Sequence, residues 1–185
     1  MTTTHLQQFD LIAFARSAQR STAHQSGQLL LADLPRIAAE QAITPSTPGL
    51  VMWSIDGHSE QRLGSTKPLL AVTMQLHTDI WLMCQRCLLP YLQPISIHNR
   101  FVIVHTEEQA QALDMANDEA DAIVGSHQFD LLDLIEEELL LALPLVPRHE
   151  SCTSPALATS PDKTAPTKTT KASPFSVLAE LKQKK

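Results

Sequence analysis

Aromatic residues make up only 4% of this 185-residue chain and glycine occurs five times, so the core must rest mainly on Leu, Ile, Val and Ala. No apolar run approaches the length needed to cross a membrane, which removes a membrane partner. The opening "MTTTHLQQFDLIAFARSAQR" lacks a basic flank leading into a long apolar segment with a cleavage site, so no secretory leader is expected. Three cysteines are an odd count that does not suit a disulfide framework, and they place the chain in a reducing cytoplasm. A Walker loop, a dinucleotide fingerprint and a nucleophile elbow are all missing. The eight histidines follow no metal or triad spacing, and nothing demands an enzyme.

Excess positive charge is also lacking, since 14 Lys/Arg face 20 Asp/Glu. Phosphate neutralisation supplies much of a generic nucleic-acid binder's affinity, so this balance argues against a strong RNA or DNA clamp. The charge is unevenly divided. Residues 1–106 are nearly neutral, 107–150 carry twelve acids and one base, and 151–185 carry six lysines against two acids. Local contacts through the front of the domain or the basic tail are still permitted.

What is present reads as α+β: a mainly antiparallel sheet or partial barrel, closed by an acidic-leucine helix. "FDLIAFARSA" forms a helical stripe with Asp10 at its cap. "LVMWSI" reads as a strand ending at an Asp56-Gly57 turn. "LLAVTMQLHTDIWLMC" alternates, with Leu70, Val72, Met74 and Leu76 on one side, and "LQPISIHNRFVIVHT" repeats the habit. "EEQAQALDMANDEADAIVGSHQ" is a loop with at most a short element. "FDLLDLIEEELLLALPLVP" is the clearest helix, capped by Asp130 and ended by Pro144. Residues 1–150 thus form one domain, 151–173 a Pro/Thr/Lys-rich flexible linker, and 174–185 a short docking helix with a basic end.

The pair Cys84 and Cys87 in "MCQRCLLPY" has three readings. A zinc knuckle needs two further ligands, and His149 with Cys152 in "RHESC" would formally complete the set. A redox pair should open a helix, whereas Leu88-Leu89-Pro90 runs toward another strand. Small, buried, inert cysteines at a strand end are the third reading, and on residues alone it leads, so no cofactor is expected unless it is zinc. The run Glu136, Glu137 and Glu138 points around a helix rather than into one site, and reads as a solvated or partner-facing surface.

Several pieces together resemble one family: "CQRCLLPY", "LLDLIEEELLLALPLVPRHESC", the terminal "SPFSVLAELKQKK" and the upstream "GQLLLADLPRIA". The chain resembles the YceD or DUF177 family, the large ribosomal RNA subunit accumulation proteins. The resemblance implies a bacterial cytoplasmic protein, not a known enzyme, that supports synthesis, processing or accumulation of large-subunit ribosomal RNA. Its motifs fall here on Cys84 and Cys87 with Arg86 between them, on Asp133, Glu136, Glu138, Leu140 and Pro144, and on Pro147, His149 and Cys152. The terminal motif falls on Pro174, Phe175, Leu178 and Leu181. Some relatives carry a cysteine-rich extension after the helix, where this chain has only Cys152, so zinc is either lost here or completed by His149. The expected partner is the large-subunit RNA or its precursor, with large-subunit ribosomal proteins beside it. Arg62, Arg86 and Arg100 are the candidate RNA contacts, and an ordinary salt bridge is the alternative for Arg86. Glu136, Glu137, Glu138, Phe175, Leu178 and Leu181 are the candidate protein-docking residues. A protein adaptor that never touches RNA is the competing function.

Overall fold

The computed structural model describes residues 3–43, 48–60, 68–115 and 121–152. The part of the expected linker beyond Cys152, the expected terminal helix with Phe175, Leu178 and Leu181, and Arg62 lie outside the described residues.

The chain is α+β. Strands β1 (Ala23–Leu30), β2 (Leu50–Glu60), β3 (Leu69–Met83) and β4 (Pro90–Val104) form an antiparallel meander. Strand β5 (Asp121–Val124) joins β4 in parallel, after helix α4 (Glu107–Asp114). The order is β1-β2-β3-β4-β5, an open sheet with β1 and β5 at opposite edges, so of the two expected forms it is the sheet and not the partial barrel. The stretch expected to be mainly loop therefore supplies both a helix and an edge strand.

Strand periodicity decides which face is buried. Val51, Trp53 and Ile55 of β2, Val72, Met74 and Leu76 of β3, and Ile97 and Phe101 of β4 lie in one core cluster. Helices α1 (Thr3–Leu6), α2 (Leu11–Ser17), α3 (Pro35–Ala39) and α5 (Leu131–Leu141) add Leu6, Leu11, Ile37, Ile135 and Leu139 to it. Both helix starts are capped as their sequences require: Asp10 accepts from the Ala13 amide and Asp130 from the Asp133 amide. The opposite face of the sheet is covered at one end, where Ala110 of α4 packs on Val102 and Val104. Its middle carries Ser54, Gln75, His77 and His98, half-buried or exposed.

Two expectations are corrected. Asp56-Gly57 is not a turn. β2 runs straight through it, pairing Gly57 with Ala23 on one side and Val72 on the other. A Cβ at Gly57 would lie 2.8 Å from the Ala23 Cβ, so glycine is there because two strands and α2 crowd together. The acidic run on α5 is not a uniformly exposed face either, because Glu136 and Glu138 are buried at 5% and 7% exposure.

Glu136 closes a helix end that lies 100 residues earlier in the chain. The N-cap of α3, Leu34, offers no side-chain acceptor. One Glu136 oxygen instead accepts from the Arg36 amide at 2.6 Å and the Ile37 amide at 3.2 Å. The other accepts from Arg36 Nε at 3.0 Å, while Arg36 Nη2 reaches Asp133 at 2.5 Å. Glu137 stays outside, 3.7 Å from Arg36 Nη1. Glu138 accepts from the Asn99 amide nitrogen on β4. Burial raises the Glu138 pKa, the Asn99 hydrogen bond opposes this, and Asp121 and Glu137 add to the rise.

Replacing Glu136→Ala strands the Arg36 and Ile37 amides and takes one of three carboxylates from the Arg36 guanidinium, and should cost about 2–4 kcal/mol in urea unfolding. Glu138 acts in the opposite sense. Its folded pKa lies above the unfolded value, so it opposes folding at neutral pH and that penalty falls as pH drops through the folded pKa. Glu138→Gln should therefore match or exceed the wild-type urea midpoint at neutral pH, and lose the gain that wild type shows on acidification toward the ordinary carboxylate range.

Candidate metal centre

The site is built on the tip of the β3–β4 hairpin. β3 ends at Met83 and β4 begins at Pro90, leaving Cys84 to Leu89 to reverse the chain. The Cys84 amide donates to the Leu89 carbonyl at 3.0 Å and the Leu88 amide to the Cys84 carbonyl at 2.9 Å. Leu88 takes a left-handed conformation, φ 58°, to close the turn. A leucine there costs on the order of 1 kcal/mol, a strain set by the geometry of the knuckle.

The segment after α5 folds back onto this tip. The Gln85 amide donates to the Pro147 carbonyl at 2.8 Å, which carries His149 and Cys152 to the hairpin. The ligand atoms of Cys84, Cys87, His149 and Cys152 then all lie within 4.8 Å of one another. Cys84 Sγ is 3.4 Å from Cys152 Sγ, Cys87 Sγ is 3.3 Å from His149 Nδ1, and Cys152 Sγ is 3.8 Å from the same nitrogen. A tetrahedral zinc with three thiolates and one imidazole has edges of about 3.8 Å between sulfurs and about 3.6 Å from sulfur to nitrogen. The donor set fits that ion in number, type and spacing. The two nearest sulfurs are free thiols, well beyond the ~2.05 Å of a disulfide.

The electrostatics favour thiolate at the buried ligand. Burial pushes the Cys84 thiol up, but backbone hydrogen bonds from Cys87, His149 and Arg86 and the His149 ring outweigh it and hold it down at about 5. Cys87 moves the other way. Burial raises it, and the adjoining Cys84 and Cys152 raise it further against a backbone hydrogen bond from Leu89. Arg86 Nε donates to Cys152 Sγ at 2.9 Å, so a cation adjoins the third sulfur. The Tyr91 ring lies 5.0 Å from that of His149, tilted by 44°, and fixes one side of the imidazole.

A family model for the "Large ribosomal RNA subunit accumulation protein YceD" matches residues 72–182, a span that includes all four ligand positions. The chain belongs to the YceD family. A curated YceD from Haemophilus influenzae, named a large ribosomal RNA subunit accumulation protein, is 34% identical over 122 residues, which cover 63% of this chain and 67% of that relative. No solved structure matches the chain.

The other residues singled out in this YceD-family chain do not converge. Arg86 is held at the metal-type cluster. Arg100 pairs with Glu60 at 2.5 Å and sits ten residues along β4 from Pro90, about 33 Å away at strand rise. These two cannot form one phosphate-sized patch. Of the three helix carboxylates expected to meet a partner, only Glu137 faces outward. Two participants escaped the sequence: Gln85, whose amide tethers the returning segment, and Tyr91, whose hydroxyl is buried with no partner among the described residues. The aromatic residue a few positions after a C-x-x-C was the available signal for Tyr91.

That hydroxyl makes a test of the packing at the site. Tyr91→Phe removes an unsatisfied polar atom while keeping the ring against His149, so it should leave the urea midpoint unchanged or raise stability by about 1–2 kcal/mol.

Proposed function

We propose that this protein is a non-enzymatic factor in formation of the large ribosomal subunit, acting in the cytoplasm. It holds one structural zinc ion and engages the large-subunit RNA or its early protein-bound intermediates. The observation that carries the metal reading is the convergence of four donors from two distant segments onto one tetrahedron-sized cluster. The ribosomal reading is supported by family membership and by the name of the Haemophilus influenzae relative. No helix among the described residues is long and apolar enough to cross a membrane.

With four protein ligands, a site of this type has no open position for substrate or water, which supports a structural role over a hydrolytic one. Zinc, when bound, supplies a crosslink between the hairpin and the segment after α5. The protein's own residues prepare that join: Gln85 and Pro147 align the two segments, and Tyr91 orients the imidazole. Arg86 offsets part of the charge that three thiolates leave on a dication. A thiol redox role fits less well, because His149 and Cys152 complete a closed set around the pair. The adaptor reading keeps one specific support. Leu88, Leu89, Leu145 and Val146, at 69%, 51%, 101% and 61% exposure, lie on the hairpin tip and on the segment returning to it, an apolar cluster suited to a protein partner.

Two outcomes follow. Chelation, or Cys152→Ala, should lower the thermal midpoint of the purified chain, and Arg86→Ala should weaken zinc retention against a competing chelator by about 10–100-fold. In cells, crosslinking of the tagged chain followed by RNA sequencing should return discrete large-subunit RNA sites. Recovery of ribosomal proteins with no specific RNA would contradict direct RNA contact and favour the adaptor.

A further inference from the structure

Among the arginines of the described residues, Arg36 is held by Asp133, Glu136 and Glu137, Arg100 by Glu60, and Arg86 by the Cys152 sulfur. Arg16, Arg20 and Arg148 are exposed, and none lies within ion-pair distance of a carboxylate among the described residues. Two of these three belong together. Arg16 is in the last turn of α2 and Arg20 in the turn that follows, one helical step further on.

Arg20 stands on the wall between two depressions. One, about 430 Å³, is lined by Arg16, Arg20, Ser17, Ser21 and His127 and includes no carboxylate. The other, about 720 Å³, runs from Arg20 onto the open face of the sheet, over His58, Thr73, Gln75 and His98. Asp56 is the only acid lining it, and its carboxylate is 2.7 Å from His24 Nδ1. Guanidinium, imidazole, amide and hydroxyl groups thus follow one another along a path with two engaged carboxylates beside it: Asp56, held by His24, and Asp10, which meets His127 Nδ1 at 2.9 Å and interacts with the Arg16 charge. No Phe, Tyr or Trp lines either depression.

We infer that this path, from Arg16 through Arg20 to His58 and His98, is a binding track for the phosphodiester backbone of single-stranded RNA. The ligand class follows from the donors. Guanidinium matches phosphate geometry, and Gln, Thr, Ser and imidazole N–H groups are ordinary phosphate and sugar contacts. Contacts of this kind, made to phosphate and sugar, carry no direct sequence information, so the track tolerates any sequence. Of the acidic stretch 107–150 only His127 lines it, and none of that stretch's carboxylates does. The inference rests on the RNA reading proposed above and locates the contact.

The test is equilibrium binding of the full chain to a fluorescent oligouridylate of about 20 nucleotides, titrated from about 50 to 200 mM salt. Arg16→Ala/Arg20→Ala should weaken binding by at least about tenfold and lower the salt slope by about 1.4, two phosphate contacts at ~0.7 each for a single strand. Arg20→Lys should retain most of the slope, and Arg148→Ala, outside both depressions, should change neither quantity. Because Arg16 and Arg20 are exposed, the thermal midpoint of the double variant should match wild type. If wild type binds and the double variant binds equally, the track is wrong and the RNA reading stands. If wild type binds no oligouridylate, the track is overturned, and RNA crosslinks absent from cells as well would remove the RNA reading with it. Polyglutamate of matched charge binding as tightly would overturn the track in favour of an acidic peptide.

Discussion

The long antiparallel ladder between β3 and β4 is the constraint on which the rest of the structure depends. It pairs Leu70 with Ile103 at one end and Met83 with Pro90 at the other, in one unbroken register. A slip of one residue would turn Val72, Met74 and Leu76 outward and expose the core. The register also decides the site. Only with Met83 opposite Pro90 does the connecting turn present Cys84 and Cys87 together, and only with Ile103 opposite Leu70 is the far end of β4 free to take β5 and α4. Core, candidate metal centre and the open sheet face are therefore three consequences of one hairpin.

Charge is organised around the same frame. The acidic excess after residue 106 looks like a solvated strip in one dimension. In three, part of it is internal machinery: Glu136 caps α3, Asp133 shares Arg36 with it, and Glu138 meets Asn99 on β4. Those contacts occupy Arg36, whereas Arg16 and Arg20 at the end of α2 are exposed and make no ion pair among the described residues. A negative net charge can therefore coexist with locally exposed arginines, since the whole-chain balance counts carboxylates that do not reach solvent.

Much of the fold was legible in the sequence where the deciding forces are local. Asp10 and Asp130 cap helices that begin at the next residue, and the alternation of β3 reports its buried face from Met74 onward, whereas Ala71 and Thr73 are buried on the other face as well. Legibility failed where a distant segment decides. Asp56-Gly57 carries a strong turn preference, but pairing with β1 and β3 overrides it, and the crowding by Ala23 that requires glycine is invisible along the chain. Glu136 and Glu138 resemble their neighbour Glu137, and only the positions of α3 and Asn99 separate them. For the site, the residue types gave the four-donor set but not its closure. The separation of Cys87 from His149 says nothing until Pro147 is placed against Gln85. The terminal motif, with Phe175, Leu178 and Leu181, lies outside the described residues.

The account stands most directly on the claim that four donors from two segments hold one metal ion. X-ray absorption at the zinc edge, on protein purified without added metal, reads that coordination. The account predicts one zinc per chain with three sulfurs at about 2.3 Å and one nitrogen at about 2.0–2.1 Å. Protein that carries no zinc, keeps three titratable thiols and stays fully folded would contradict it.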